Sequence, residues 1–482
     1  MASVKRNLLY NTLLNISKVV FPLITAPYVT RVLDASDLGL FNFAGIYAGY
    51  FALVAVLGIP YYGAREIAKV RDNKQQTIRL FHELFSVAIA NTVVITCVYL
   101  LSVLLIDQLS DDYIVFLIVG VVLYCSPFNI DWFYGGLENF KVITLRSLII
   151  KTLSVISLFV LVRDRNDFII YLCINSFATV ANDIWNFVFL YKLGYKVGIT
   201  IKGVTKHLKP LLLLFASSLA VSIYTVLDTI MLGFMTAYIE VAYYTYAMHL
   251  VKALLAAITS LSAVAVPRIS YYIEHKLFCE INQLVNKSFS LVSFFALPMC
   301  IGIVLVSPTF IPLFLGGQFY GSVVPIQILS TLLIFIGLNN LSAVQCLVGL
   351  GHDKLFLYSV LVGTVSNFTL NCFLIPRLGA VGASIASAIA ELLVLVYSFY
   401  LVTKFTPIRL KLMTEFVHTI LGSLLLVVEF FLIRAFVSGW ILIFIFITLA
   451  SLSYLAYQYA FKNQTMILLM NLIKKGINKQ YV

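Results

Sequence analysis

Apolar residues run for about 20 positions at a stretch, pause over a few polar ones and run again, along nearly the whole chain. The runs are continuous and do not alternate apolar with polar, which predicts helices that cross a bilayer and excludes a membrane β-barrel. About 14 spans are expected, near residues 9–30, 41–61, 82–104, 114–136, 147–162, 168–190, 210–234, 241–265, 288–309, 323–347, 355–375, 381–402, 416–434 and 440–461. The fold class is therefore an all-α polytopic membrane protein. The connections on one side are short: "DQLSDDY", "RDRND", "MTAYIE", "LGGQFYGS" and "PRLGAVG". None reaches the roughly 40 residues that a minimal folded domain needs. A faint echo recurs at an offset of roughly 200 residues, where "GLFNFAGIYAGY…PYYGAREI" resembles "AYYTYAMHLVKA…AVAVPRIS", with Arg65 and Arg268 in corresponding places.

Composition agrees with the pattern. The chain has 482 residues, 61% of them hydrophobic and 11% charged, with a mean hydropathy of +0.99. A soluble domain carries about a quarter charged residues and has no means of hiding this much apolar surface. Lys5 and Arg6 precede the first run, but Asn11, Asn15 and Lys18 interrupt it, so a retained first span is expected rather than a signal peptide. Six of the seven cysteines fall inside apolar runs and Cys279 lies in a basic loop, a distribution that predicts no disulfides.

A net charge of +12 raises nucleic acid as a partner, and the distribution of the charges argues against it. With both termini in the cytoplasm, about 25 of the 33 Lys and Arg fall on that side and about five outside. The inner ones include Arg65, Lys69, Arg71, Lys74 and Arg79 in one loop, and Lys192, Lys196, Lys202, Lys206 and Lys209 in another. The excess of inner positive charge sets the orientation. No nucleotide-binding loop, metal-ligand spacing or cofactor motif occurs, so no cofactor and no metal are expected.

Lys18 is the first residue that hydropathy leaves unexplained. It lies about ten residues into its span, roughly 15 Å deep, and its side chain recovers only about 6 Å by reaching back toward the surface. Asn11, Asn15, Lys18, Pro22 and Thr25 share one helix face, and Pro22 and Pro27 deprive the carbonyls of Lys18 and Leu23 of helical partners. Such a face belongs on a wet cavity or against protein. Lys252 is a second mid-span cation, with His249 one turn before it. Two cations on a shared cavity would make an anion site; the alternative gives each a private carboxylate, and a first span starting near residue 12 would let Lys18 snorkel. Lys151 reads as a snorkelling residue near the start of its span. Asp131, Asp183, Asp228 and Glu391 are candidates for ion coupling or for neutralising a lysine, and Glu429 has no evident role.

The stretch "YFALVAVLGIPYYGAREIAKVRDNKQQTIRLFHELF" resembles the second-to-third-span region of bacterial polysaccharide repeat-unit flippases of the Wzx type, in the multidrug/oligosaccharidyl-lipid/polysaccharide exporter superfamily. "FYGGLENFKVITLRSLIIK" and "NCFLIPRLGAVGASIASAIAE" are similar to further family signatures. The resemblance implies two pseudo-symmetric six-helix lobes, residues 1–205 and 206–405, and then two further spans and a cytoplasmic tail in 406–482. It also implies a MATE-like fold and alternating access.

The implied substrate is undecaprenyl-diphosphate carrying an oligosaccharide repeat unit, moved from the inner to the outer leaflet of the bacterial cytoplasmic membrane for capsule or O-antigen assembly. Membrane lipid and other polysaccharide-assembly proteins are the implied partners, and no enzymatic activity is expected. A cationic cavity in such proteins would draw on Lys18, Asn11, Asn15, Thr25, Arg65, His249 and Lys252. The alternatives are a drug/cation antiporter, against which the midplane lysines count, a peptidoglycan-precursor flippase, and a membrane polymerase or ligase.

Overall fold

The computed structural model describes residues 4–263, 265–275, 277–406, 408 and 414–479. The ends of the expected tail, and the residues just after the expected boundary near 405, lie outside that set. Nearly every described residue is helical, and no strand occurs among them. Twelve stretches are long and apolar enough to cross a membrane. One of them, Asp353–Phe405, contains two spans meeting at Gly379, whose φ of 54° breaks the helix. The helix Thr205–Met235 supplies the seventh span. The fourteen expected crossings are thereby all accounted for.

Two compact units divide the chain, residues 1–242 and 243–482. The first unit contains the first span (Val4–Val32), the second (Ala35–Val56), the third (Lys74–Leu105), the broken fourth (Tyr113–Gly136), the fifth (Phe140–Leu161), the sixth (Phe168–Lys192) and the seventh. The seventh counts with this unit because it packs on the second. The backbone at Gly58 runs so close to Leu211 and Phe215 that a β-carbon would lie 2.9 Å from the Phe215 nitrogen. Nearer the other end, Gly233 lies against the ring of Phe43 and accepts a bond from Gln108.

The second span ends where Leu57 and Gly58 both turn into the left-handed region. Pro60 then starts a short amphipathic helix, Ile59–Val70, that carries Arg65. The eighth span (Tyr238–Ala263), which begins in the last residues of the first unit and continues in the second, is likewise followed by a short amphipathic helix, Ala265–Glu274, carrying Arg268. The sequence echo thus has a structural counterpart.

The connection from the sixth to the seventh span, residues 193–204, has no helix of its own, yet the third span holds it at several points. Lys74 donates to the Leu193 carbonyl at 3.3 Å, the His82 ring bonds the Lys196 carbonyl at 2.8 Å, and Ser86 accepts from the Thr200 amide at 2.8 Å. Gly203, with φ of 82°, then turns the chain so that Lys206 and His207 reach Glu83. Beneath this connection lies an aromatic core of Phe81, Phe85, Trp132, Phe133 and Tyr134.

In the second unit the ninth span (Phe278–Leu315) runs through three prolines and carries the thirteenth (Thr414–Arg434) and fourteenth (Gly439–Ala460) on one side. Phe294, Leu426, Phe430, Phe446 and Tyr454 pack there, and the Tyr454 hydroxyl donates to the Phe294 carbonyl at 2.8 Å. The tenth span (Gly317–Val348) ends in a nine-residue π-helix, Asn340–Val348.

Candidate functional site

The first and fifth spans lie side by side and are bonded at three levels. Thr144 donates to the Tyr10 carbonyl at 3.0 Å, Lys151 to the Ser17 hydroxyl at 3.1 Å, and Tyr28 to the Val162 carbonyl at 2.6 Å. Lys18 is fourteen residues from either end of its helix, and Lys151 is eleven from Phe140 and ten from Leu161. The fifth helix begins seven residues earlier than the sequence suggested. Lys151 is therefore a mid-span cation, about 15 Å from each end, and snorkelling does not account for it.

Among the described residues neither Lys18 nor Lys151 forms an ion pair, and the two are close enough to repel each other. Lys151 is half-buried, with its nitrogen 5.7 Å from the centre of the Phe21 ring; Lys18 is exposed. Ser17 is buried and bridges the helices, donating to the Leu14 carbonyl at 2.7 Å while accepting from Lys151. Asn11 and Asn15 are exposed along with Lys18. Thr25 donates to its own helix, its hydroxyl 3.2 Å from the Phe21 carbonyl, which leaves only its acceptor side to face outward. The helix passes through Pro22 and Pro27 without interruption.

A second polar cluster lies on the fourth, fifth and sixth spans. Arg146 is 4% exposed and its guanidinium is fully engaged. It donates to Asp131 at 2.8 Å, to Asn182 at 3.0 Å and to Asn186. Asp131 is thus a charge partner and sits at the start of the last short helix of the broken fourth span. Asp183 is buried beside this pair.

A third cluster ties the third and seventh spans to the short helix Ile59–Val70. Glu83, 1% exposed, takes Lys206 at 2.7 Å, His207 at 2.9 Å and Arg79 at 3.1 Å, and the other ring nitrogen of His207 bonds the Tyr62 hydroxyl at 2.8 Å. Arg65 is exposed, pairs with Glu66 at 3.0 Å and lies over the Tyr62 ring. Asp228 is buried in the seventh span near Tyr50.

In the second unit Lys252 and His249 are exposed on the eighth span and close enough to interact. Glu391 is buried in the twelfth. No group of three or more metal-ligating side chains occurs among the described residues.

Sequence reasoning missed Lys151 as a member of the site, the burial of Arg146 and the Glu83–His207 pair. The signal for Lys151 was present in Phe140, Val142, Ile143 and Leu145, apolar positions that begin the fifth helix before Arg146.

Twelve described stretches long and apolar enough to cross a bilayer make this a multi-pass membrane protein. The family described as "Polysaccharide biosynthesis protein" matches residues 4–273, and the chain belongs to it. A protein of Escherichia coli (strain K12) named "Putative O-antigen transporter" is 24% identical over 405 residues, spanning 81% of this chain and 95% of its own length. A protein of the same name from Shigella dysenteriae is 24% identical over 401 residues, covering 82% and 98%.

The fold is similar to that of the lipid II flippase MurJ in an inward closed conformation, with a TM-score of 0.74, 16% identity, and coverage of 94% of this chain and 98% of that one. It is also similar to an inward-facing MATE transporter of the MOP superfamily, with a TM-score of 0.61, 14% identity, and coverage of 80% and 94%. The resemblance noted in the sequence therefore stands, and the fold is MATE-like.

Proposed function

We propose that this protein is a flippase. It moves undecaprenyl-diphosphate-linked oligosaccharide repeat units from the inner to the outer leaflet of the bacterial cytoplasmic membrane, by alternating access through a cationic cavity. The observation that carries this reading is the Lys18–Lys151 pair, two mid-span ammonium groups on neighbouring helices that form no ion pair among the described residues. Such a pair is costly when empty and is relieved by an anion. An ammonium about 4 Å from a phosphate charge gains about 4 kcal/mol at an effective dielectric constant of about 20. A diphosphate supplies two such contacts while the polyprenyl tail stays in lipid. The names of the two relatives support a saccharide cargo.

Lys252 and His249 are assigned the same task from residues 206–405, and Arg65 that of gathering the anionic head group at the cytoplasmic face, with both termini on that side. Asp183, Asp228 and Glu391 are left as ion-coupling candidates, whereas Asp131 is a charge partner of Arg146. Outward movement of a charge of about −2 through an inside-negative potential of about 100 mV gains roughly 4–5 kcal/mol.

The test is transbilayer movement of defined lipid-diphosphate sugars in proteoliposomes. Rates should fall at least about ten-fold in K18A and in K151A, the equivalent of about 1.4 kcal/mol. Wild-type rates in both variants would remove this pair from the path. A peptidoglycan precursor has the same anionic chemistry, and complementation of strains lacking one flippase or the other separates the two cargoes.

A further inference from the structure

The thirteenth and fourteenth spans hold a carboxyl that the transport reading does not use. Glu429 is fifteen residues from Thr414 and five from Arg434, so about 7–8 Å of helix separates it from the nearer end. Its side chain leans toward the start of the helix and so deeper still. Among the described residues Glu429 takes no hydrogen bond and no ion pair, and its Oε2 is shielded from the surface of the chain. Exposed Arg434 does not pair with it. Ser453, the other polar group nearby, donates to its own Ala450 carbonyl at 3.2 Å.

Glu429 opens into a groove of about 300 Å³, walled by Leu432 and Ile433 of its own span and by Leu449, Leu452 and Ser453 of the next. The groove looks away from the fold: Leu432 and Leu452 are each 61% exposed, whereas Phe430 and Phe446 face the ninth span. Apolar residues at such a surface are ordinary in lipid. An acid among them is not, because an ionisable group within a membrane span is rare unless something pairs with it.

We propose that this groove docks a transmembrane helix of another protein, and that a lysine or arginine of that helix pairs with Glu429. Charge complementarity selects this occupant. A prenyl or acyl chain fills an apolar groove but offers the carboxyl no donor. A second copy related by a two-fold axis brings the same acid to the same place. A basic side chain satisfies the carboxyl and lays its aliphatic stem along the leucine wall. The inference is independent of the cargo, since Glu429 is on neither cationic helix.

The experiment uses the full-length protein in its native membrane, with a photo-crosslinking residue at Leu452. The expected adduct is a transmembrane segment of another membrane protein. Its yield should fall at least about ten-fold in E429Q and in E429K, about 1.4 kcal/mol of association. It should return in E429K when the basic residue of the captured segment is exchanged for glutamate. The near-isosteric E429Q protein should elute as the parent does and, once purified, should move lipid-linked sugar at an unaltered rate. Adducts with lipid alone, with another copy of this chain, or with a protein captured equally well by E429Q would overturn the proposal. So would the absence of any adduct, a charge exchange without recovery, or a transport defect in purified E429Q.

Discussion

The ammonium of Lys151 donates to the hydroxyl of Ser17 at 3.1 Å, which fixes the fifth span to the first one position away from Lys18. Ser17 is buried, so this bond sets where Lys151 points while leaving Lys18 exposed. If the two lysines hold one diphosphate, they act as a unit and their losses are not additive. K18A/K151A should then be little slower than the worse single variant in the proteoliposome assay. S17A, which leaves the charge but frees its direction, should cost less than K151A, and K151R should retain part of the rate.

The Arg146–Asp131 pair makes the opposite prediction, about stability rather than transport. Arg146 is 4% exposed, and removing it strands Asp131 beside the buried Asp183. R146A should lower stability by about 1–3 kcal/mol, less than the cost of breaking a fully buried pair because the Asp131 side chain is 38% exposed and water screens the charge left behind. Thermal unfolding in detergent measures this. R146M/D131L, which removes both charges, should recover most of the loss.

The Tyr62–His207–Glu83 chain predicts a local effect. H207A leaves the Tyr62 hydroxyl without its partner and Glu83 Oε2 with Lys206 alone, and should loosen residues 193–204 before anything else. Hydrogen exchange on that segment should rise by about an order of magnitude or more, while the fifth span stays protected. Y62F, which removes only the end of the chain, should cost about 1 kcal/mol.

Gly39 packs against the start of the eighth helix so tightly that a β-carbon there would collide with the Tyr238 carbonyl oxygen. G39A should therefore reduce the yield of folded protein, as read by size-exclusion of a fluorescent fusion. At Gly49, where nothing lies within 4 Å of an added β-carbon, G49A should behave as the parent.

The crossings were legible because hydropathy is summed along the chain, and the first span with Lys18 was recovered from it directly. The start of the fifth span was not, because a window counts Arg146 as a charge to be kept out of the membrane. Its partners, the neutralising Asp131 and the amide acceptors Asn182 and Asn186, come from 15 residues before and from 36 and 40 residues after it. The same blindness hid Glu83 and His207, which are 124 residues apart. Thr25 shows a different limit of the pattern. Its spacing placed it on the polar face, but the short hydroxyl satisfies itself on the preceding turn.

The tethered segment 193–204 has a practical consequence. A stretch without helix on a membrane protein is where a reporter domain or an affinity tag is ordinarily spliced in. Here Leu193, Lys196 and Thr200 are each anchored to the third span, and Lys206 and His207 beyond them to its Glu83. An insertion at this place would pull on a strut rather than lengthen a slack cord.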